Sequence, residues 1–385
     1  MKSFLGSIVL LIAMAFLVTV GCDPLNDTAS NQPDLNSNST VDRTTGAQAT
    51  AQAELEPPVA RNRRLLGIDI ADVPQGRSYD DNVAKALDVK AGATSLSLQW
   101  NQIEVAPQKY SDPGEALMIS NVYYPSAKLK LSLNIRSVDT VTTPVPGDLA
   151  KTKFDSPLMI SRYQSMLDWV FEKIPNVELV SLQIGNEIDL NSISTSPFWE
   201  QYSAFASQVT SHVHLKRPGT LVGFTVTHKS AEGKFKANIL AAAKRCDLIG
   251  VTYYPLTQNS IVLPVSVVEG DFDKIISAFG TKPIYIQEVG YPTGQANRSS
   301  EALQAQFLEK IFQAWDRHAE KIPYLSIDRL VDYSHSGSTS MAADYGFRGN
   351  VAFTSFLETI GMQSHTGKDK AAVPTLKKLT QERDW

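Results

Sequence analysis

Short apolar runs alternate with longer amphipathic stretches along the chain beyond Arg61. The runs have the length of β-strands, and their continuous Leu, Ile and Val content is typical of strands that are buried on both faces. Eight of them follow one another, at residues 65–70, 94–100, 129–135, 179–184, 221–227, 248–253, 283–287 and 324–328. We number these predicted strands one to eight in chain order.

Apolar side chains between the runs recur at helical spacing. The clearest stripes are Leu303, Phe307, Ile311 and Trp315, and Trp199, Tyr202, Phe205, Val209 and Val213. Each stripe predicts a helix with one face turned to a core. Strands that alternate with helices form parallel sheets, and eight such repeats in a chain of this size predict one (β/α)8 TIM barrel. An open, doubly wound sheet is the main alternative, but no glycine-rich phosphate turn follows the first strand.

The first 60 residues have a different character from the barrel. Lys2 precedes an apolar run over residues 4–20 that ends at Gly21-Cys22, which is the pattern of a secretory signal segment. Residues 19–22 (TVGC) resemble a bacterial lipobox, which implies cleavage before Cys22 and attachment of lipid to it. An uncleaved membrane anchor is the alternative. Residues 23–60 are polar and lack aromatic side chains, so we expect a disordered linker before a barrel domain at residues 61–385.

Composition narrows the classes of partner. The chain has 385 residues, of which 43% are hydrophobic and 20% charged, and its formal net charge is −4. This balance gives no basic surface for a phosphate backbone, so we expect no nucleic-acid partner. Its only cysteines are Cys22 and Cys246, and lipidation of the first would leave the second without an intramolecular partner. Cys246 precedes a buried strand and is expected in the core.

Two predicted strands end in glutamates. Strand four leads into Asn186-Glu187, and strand seven leads into Glu288. Barrel enzymes carry their catalytic groups at the C-terminal ends of the strands, and strands four and seven lie across the mouth from each other. We therefore expect the two carboxyl groups to converge on one cavity. A lone Asn-Glu pair is a weak signal, because glutamates after strands are often surface charges.

Three segments together carry a more specific resemblance. Residues 183–188, 247–255 and 288–292 read QIGNEI, DLIGVTYYP and EVGYP. The chain resembles the clan of retaining (β/α)8-barrel glycoside hydrolases, and these motifs are nearest its endo-β-1,4-galactanase branch. The clan-level resemblance runs from about Leu65 to the C-terminus, and the branch-level resemblance is confined to the motifs. It implies cleavage of β-linked oligo- or polysaccharides, with Glu187 as acid/base and Glu288 as nucleophile.

The same resemblance implies further contacts with the sugar. Asn186 would hydrogen-bond the 2-hydroxyl at the cleavage point, and a tyrosine at the end of strand six would orient the nucleophile. Tyr254 is the first choice and Tyr253 the alternative, because adjacent strand residues point to opposite faces. Both tyrosines would otherwise be packing residues. Tyr291, in the strand-seven motif, is another candidate substrate contact.

The chain departs from the clan pattern at two places. Strand two, residues 94–100, lacks the arginine that supports the nucleophile in the clan, and the segment at strand eight, residues 327–333, lacks the tryptophan of a sugar platform. Arg136, at the end of strand three, could take over the role of the missing arginine. An exposed loop arginine is equally consistent with its position. Trp100 is a candidate subsite wall or else a rim packing residue.

No metal or other cofactor is predicted. The six histidines are not spaced as ligand pairs, and His228 alone lies where it could line the mouth and touch substrate, unless it is a solvated loop residue. Two rival functions remain open. A carbohydrate-binding lipoprotein could keep the barrel without turnover, and a transglycosylase would share every residue. The sequence thus predicts a secreted, lipid-anchored retaining glycosidase of the bacterial cell envelope.

Overall fold

The structure is a computed structural model that describes residues 57–74 and 76–385. The predicted signal segment (1–22), its Cys22 and residues 23–56 of the predicted linker lie outside the described residues. Within the described part, no helix has both the length and the apolar character needed to cross a membrane.

Eight parallel strands form a closed barrel. They are β1 Leu65–Ile68, β2 Ala93–Gln99, β3 Lys130–Arg136, β4 Leu179–Gln183, β5, β6 Ile249–Tyr253, β7 Ile284–Val289 and β8 Tyr324–Ile327. Strand β5 consists of two short segments, Leu221–Gly223 and Thr225–Thr227, of which the first pairs with β4 and the second with β6. Because β1 also pairs with β8, in register from Leu65 opposite Tyr324, none of the eight described barrel strands is left as an edge. The fold is a TIM barrel.

Helices form the outer layer. Among the described residues they are α1 Tyr79–Asp88, α2 Trp100–Ile103, α3 Ala116–Ala127, α4 Pro157–Lys173, α5 Ser196–Lys216, α6 Lys236–Ala243, α7 Val267–Phe279, α8 Glu301–Arg317, α9 His335–Asp344, α10 Val351–Thr359 and α11 Ala372–Gln381. Several begin at a hydroxyl side chain that accepts from a backbone N–H of the first turn, as Ser78, Ser156 and Ser300 do. Helices α9 and α10 belong to the insertion that follows β8.

The sequence-predicted fold is confirmed. All eight predicted strands are present, with ends that differ by one or two residues, and the two apolar stripes fall on the buried faces of α5 and α8. Cys246 is buried, as expected of a core residue. The open sheet is excluded because the pairing of β1 with β8 and of β5 with β6 closes the ring.

A buried ion-pair network joins the start of the described chain to its end at the outer layer. Asp316 in α8 accepts a hydrogen bond from Arg64 Nη1 at 2.7 Å and from Arg383 Nη2 at 2.6 Å. The side chains of Arg64, Asp316 and Arg383 are 2%, 9% and 3% exposed. One carboxylate therefore compensates two guanidinium groups that have little contact with water.

Removal of this shared carboxylate should destabilise the barrel strongly. An Asp316→Ala variant leaves the buried Arg64 without a carboxylate and Arg383 with only the partly exposed Glu382 at 3.7 Å, so we expect the free energy of unfolding to fall by about 3–5 kcal/mol. Glu232→Ala is the matched control, because it removes an ion pair with Lys274 whose side chains are 67% and 51% exposed. That change should cost no more than about 1 kcal/mol. Urea denaturation measures both, and equal losses would contradict the account.

Candidate active site

Glu187 stands in a strained turn directly after β4. Its backbone is left-handed, with φ 43° and ψ 44°, a conformation that costs a residue with a side chain on the order of 1 kcal/mol. Its carboxyl group accepts hydrogen bonds from Thr252 Oγ1 at 2.7 Å and from Thr140 Oγ1 at 3.1 Å. Two hydroxyl groups from neighbouring strand ends therefore hold the carboxyl group at the mouth of the barrel.

Glu288 lies at the end of β7, where the strand is irregular. The pairing register with β6 shifts between Ile286 and Glu288, so Gln287 and Glu288 do not simply alternate between faces. Gln287 points into the barrel, where it accepts from Ser132 Oγ at 2.8 Å. Glu288 instead reaches the mouth and accepts from the Tyr254 hydroxyl at 2.9 Å.

An ion pair between Arg136 and Asp139 borders Glu288. Arg136 ends β3, and its Nη2 lies 3.7 Å from Glu288 Oε1. Its Nη1 donates to Asp139 Oδ2 at 2.9 Å. Asn186, which precedes Glu187, donates from Nδ2 to Asp139 Oδ1 at 3.3 Å. The ends of β3, β4, β6 and β7 thus bring two glutamates, an arginine, an amide and a phenol to one cavity.

The two glutamates differ in their electrostatic surroundings. Burial raises the pKa of Glu187 to about 7, and the neighbouring Glu288 carboxylate adds to the rise. Burial also raises the pKa of Glu288, but the Arg136 guanidinium and the Tyr254 hydroxyl oppose that rise. Unequal surroundings of this kind let one carboxyl group hold a proton while the other stays ionised.

The structure separates the two candidate tyrosines. Tyr254 contacts Glu288, whereas Tyr253 is fully buried and donates to Asp271 Oδ2 at 3.0 Å, on the side of the helix layer. The alternation of side chains along a strand accounts for the difference. Tyr253 is therefore not placed to contact substrate, and that alternative was wrong.

The prediction of Trp100 as a subsite wall was also wrong. Its side chain is 0% exposed, its Nε1 donates to Glu104 Oε2 at 2.9 Å, and its ring packs edge-on against Tyr163 at 4.9 Å. Because Gln99 ends β2 and the chain turns at once into α2, the indole enters the core beneath the rim. Trp100 is a packing residue.

Tyr291 and His228 do not contact the acid pair either. Tyr291 is 1% exposed, stacks on Phe307 and donates its hydroxyl proton to the Leu263 carbonyl at 2.8 Å, which corrects its assignment as a substrate contact. His228 begins the short turn after β5 and packs edge-on against Tyr253 at 4.9 Å. Burial lowers the pKa of His228 to about 4.

Several polar residues of the mouth escaped the sequence analysis. Asp69 and Asp328 follow the ends of β1 and β8, and Tyr345 lies in the insertion after α9. Burial raises the pKa of both aspartates, and for Asp328 the charge of Glu288 contributes next. Asp69 and Asp328 had a usable signal, since each directly follows an apolar run. Asp139 and Tyr345 lie in loops and had none.

No metal centre is apparent among the described residues, since no three His, Cys, Asp or Glu side chains are grouped to hold an ion. Glu187, Glu288 and Asp139 accept instead from hydroxyl, guanidinium and amide donors of this chain.

No protein-family model matches the chain, and no curated protein matches it either. Solved structures do. Exo-β-1,4-mannosidase Op5Man5 from Opitutaceae bacterium strain TAV5 superposes with a TM-score of 0.62 at 15% identity, over 83% of this chain and 59% of that one. GH5_18 from Streptomyces cattleya, in complex with GlcNAc, gives a TM-score of 0.61 at 12% identity, with 85% and 81% of the two chains covered.

A psychrophilic glycoside hydrolase family 10 endo-β-1,4-xylanase has a TM-score of 0.57 at 11% identity, over 82% of this chain and 97% of that one. The chain spans only 59% of the length of the mannosidase. These structural neighbours are glycoside hydrolases with (β/α)8 barrels. At such low identities they establish the shared fold.

The effect of Glu288 on the pKa of Glu187 can be measured by titration. The Glu187 carboxyl group should titrate near pH 7 in ¹³C NMR of the glutamate side chains. Glu288→Gln removes a neighbouring negative charge, so the pKa of Glu187 should fall by roughly one unit. Glu269→Gln, whose side chain pairs with Lys310 in the helix layer, is the control and should leave it in place. An unchanged pKa of Glu187 in Glu288→Gln would contradict the electrostatic coupling of the two glutamates.

Proposed function

We propose that this chain is a retaining glycoside hydrolase that cleaves β-linked glycans by double displacement. One observation carries the proposal: two half-buried carboxyl groups lie at the barrel mouth, and only one of them borders a guanidinium and a phenol. Retaining glycosidases need such a pair, one carboxyl group to protonate the leaving oxygen and one carboxylate to attack.

The surroundings divide the two roles. Arg136, 3.7 Å from Glu288, favours the ionised form of that carboxyl group, and the Tyr254 hydroxyl fixes Oε2 by a hydrogen bond of 2.9 Å. Glu288 is therefore the nucleophile. Glu187 has a pKa near 7 and is available as a proton donor at neutral pH, so it is the acid/base.

The reaction then has two balanced steps. An oxygen of Glu288 bonds to the anomeric carbon while the bond from that carbon to the leaving oxygen breaks, and Glu187 gives its proton to that oxygen. In the second step Glu187, now a carboxylate, takes a proton from water as the water oxygen displaces Glu288. Each group returns to its starting state. A sugar hydroxyl in place of water would give transglycosylation.

The sugar is proposed on narrower grounds. The motifs around Glu187, Tyr254 and Glu288 are nearest the galactanase branch, which makes β-1,4-galactan the first polymer to test. The mannosidase and the xylanase among the structural neighbours add β-1,4-mannan and xylan. If the domain binds one of these polymers without cleaving it, the chain is a carbohydrate-binding protein instead.

We further propose that the enzyme is secreted and lipid-anchored through Cys22. The apolar run over residues 4–20 and the small residues before Cys22 support this location. A Cys22→Ser variant should lose both labelling by radioactive fatty acid and membrane retention, because its hydroxyl cannot accept the thioether-linked lipid. Cys246→Ser is the matched control and should keep both. Labelling that survives in Cys22→Ser would refute the anchor.

Azide rescue tests the division of roles. Glu288→Ala removes the group that forms the glycosyl-enzyme, so hydrolysis of aryl β-glycosides should fall by several orders of magnitude whatever the leaving group. Azide should then attack from the vacated face and give the inverted glycosyl azide. Glu187→Ala should lose about 10²–10⁴-fold on substrates with poor leaving groups and much less on activated ones.

In the Glu187→Ala variant azide replaces water on the intermediate, so the glycosyl azide should keep its configuration. Proton NMR of the products distinguishes the two anomers. Glu200→Ala, which removes an exposed glutamate of α5, is the control and should behave as the unmodified protein. Exchanged configurations would reverse the assignment, and full activity of both variants would remove the pair from the mechanism.

A further inference from the structure

Asp139 is a buried carboxylate at the centre of the mouth that the mechanism above leaves without a role. It is 5% exposed and lies three residues beyond the end of β3. Its position is set by the backbone, because residues 138–140 pair with the chain around Asn186 beyond the barrel proper. The Asn186 N–H donates to the Val138 carbonyl at 2.9 Å, and the Thr140 N–H to the Asn186 carbonyl at 3.0 Å.

The donors to Asp139 come from three strand ends. Arg136 Nη1 reaches both oxygens, at 2.9 and 3.1 Å, and Asn186 Nδ2 lies 3.3 Å from Oδ1. Gln99 Nε2, at the end of β2, lies 3.4 Å from Oδ2. Asp139 thus contacts both the residue that borders the nucleophile and the residue that precedes the acid/base.

The hydrogen bond to Asp139 determines which way the Asn186 amide faces. Asn186 Nδ2 donates to Asp139 Oδ1, so the NH₂ end of the amide faces Asp139. The other end, Oδ1, is buried and has no hydrogen-bond partner among residues 57–74 and 76–385. A buried acceptor without a donor is costly, so a ligand that supplies one is favoured. In a bound glycan this donor would be a hydroxyl or amino group next to the anomeric carbon.

Arg136 lies between two carboxylates, Asp139 and Glu288. The guanidinium makes its short contacts with Asp139, and its distance to Glu288 Oε1, 3.7 Å, is beyond hydrogen-bond range. Glu288 therefore feels the positive charge while Oε1 keeps its lone pairs free. Without Asp139, Arg136 would close on Glu288 as a direct ion pair, which would lower both its pKa and its nucleophilicity.

We propose that Asp139 is a positioning residue of the glycosidase site: it holds Arg136 back from Glu288 and fixes the orientation of the Asn186 amide, whose contact with the sugar at C2 the clan resemblance already implies. The inference rests on the proposed hydrolase function for its substrate part. Its electrostatic part concerns the resting protein and is measurable without turnover.

Other charged and titratable groups also act on Glu288, and the test must hold them constant. They come from every side of the mouth: Glu187 after β4, Tyr254 after β6, Asp69 after β1, Asp328 after β8 and Tyr345 after α9, in addition to Arg136 and Asp139. Asp139→Asn changes a single one of these charges and keeps the side-chain shape.

The two charge changes should act in opposite directions. Asp139→Asn removes a negative charge and releases Arg136 toward Glu288, so the pKa of Glu288 should fall by about one unit. Arg136→Met removes the positive charge and should raise it by about as much. We would measure Glu288 by ¹³C NMR in a Glu187→Gln background, which removes the second titrating glutamate. Asp189→Asn, a carboxylate that bonds Thr227 but neither Arg136 nor Asn186, is the matched control.

The selection at C2 is measured by comparing aryl β-glycosides with their 2-deoxy analogues. The unmodified enzyme should prefer the parent sugar, and both Asn186→Ala and Asp139→Asn should reduce that preference by about 10- to 100-fold, with no further loss in the double variant. A residue that only supports the fold would lower kcat for both sugars alike. Asp189→Asn should keep the preference.

The outcomes separate the inference from the proposed function. If no glycoside is cleaved, the hydrolase proposal fails, and the Glu288 titration still tests Asp139. If glycosides are cleaved but the pKa of Glu288 is unmoved in Asp139→Asn and Arg136→Met, or moves the same way in both, the inference is overturned. Should Asp139→Asn not fold, as judged by circular dichroism, Arg136→Met alone decides: an unmoved or lowered pKa of Glu288 overturns it.

Discussion

Two neighbouring carboxylates repel each other, so one of them must keep a proton or meet a counter-charge, and this constraint organises the mouth of the barrel. Glu187 meets it by keeping its proton to a pKa near 7, held between two threonine hydroxyls. Glu288 meets it with a guanidinium and a phenol. Two residues of one type thus differ in their tendency to hold a proton.

The counter-charge comes from an unexpected strand. The clan that the sequence resembles carries its arginine on strand two, whereas here Arg136 comes from the end of β3 and donates to Asp139. A barrel permits this exchange because neighbouring strand ends open onto the same cavity. The proposed chemistry requires a positive charge near Glu288, and any strand end that opens onto the mouth could supply it.

The fold was predictable because every strand of a parallel barrel is buried on both faces and therefore reads as a continuous apolar run. The position of Glu187 and Glu288 at the mouth was predictable for a related reason, since each follows such a run. The aromatic contacts were less accessible. Trp100 and Tyr291 follow strands too, but both rings are buried, Trp100 at the start of α2 and Tyr291 stacked on Phe307.

Loop residues were beyond the reach of the sequence pattern. Asp139 matters through its backbone pairing with the chain around Asn186, a contact between segments 47 residues apart, and no local periodicity encodes it. The left-handed turn at Glu187 is similar, because it places a non-glycine residue in a costly conformation that only the surrounding packing can maintain. Such features are set by tertiary structure.

The central claim is that Glu288 forms a covalent bond to the sugar. It is tested most directly by incubating the soluble domain with 2,4-dinitrophenyl 2-deoxy-2-fluoro-β-glycosides of galacto, manno and gluco configuration, followed by mass spectrometry of the intact and digested protein. The fluorine slows both steps, and the activated leaving group lets the first proceed, so the glycosyl-enzyme should accumulate. The account predicts one added fluoroglycosyl mass, located on the peptide that contains Glu288. An adduct on any other residue, or hydrolysis of the parent glycosides with inverted configuration, would contradict it.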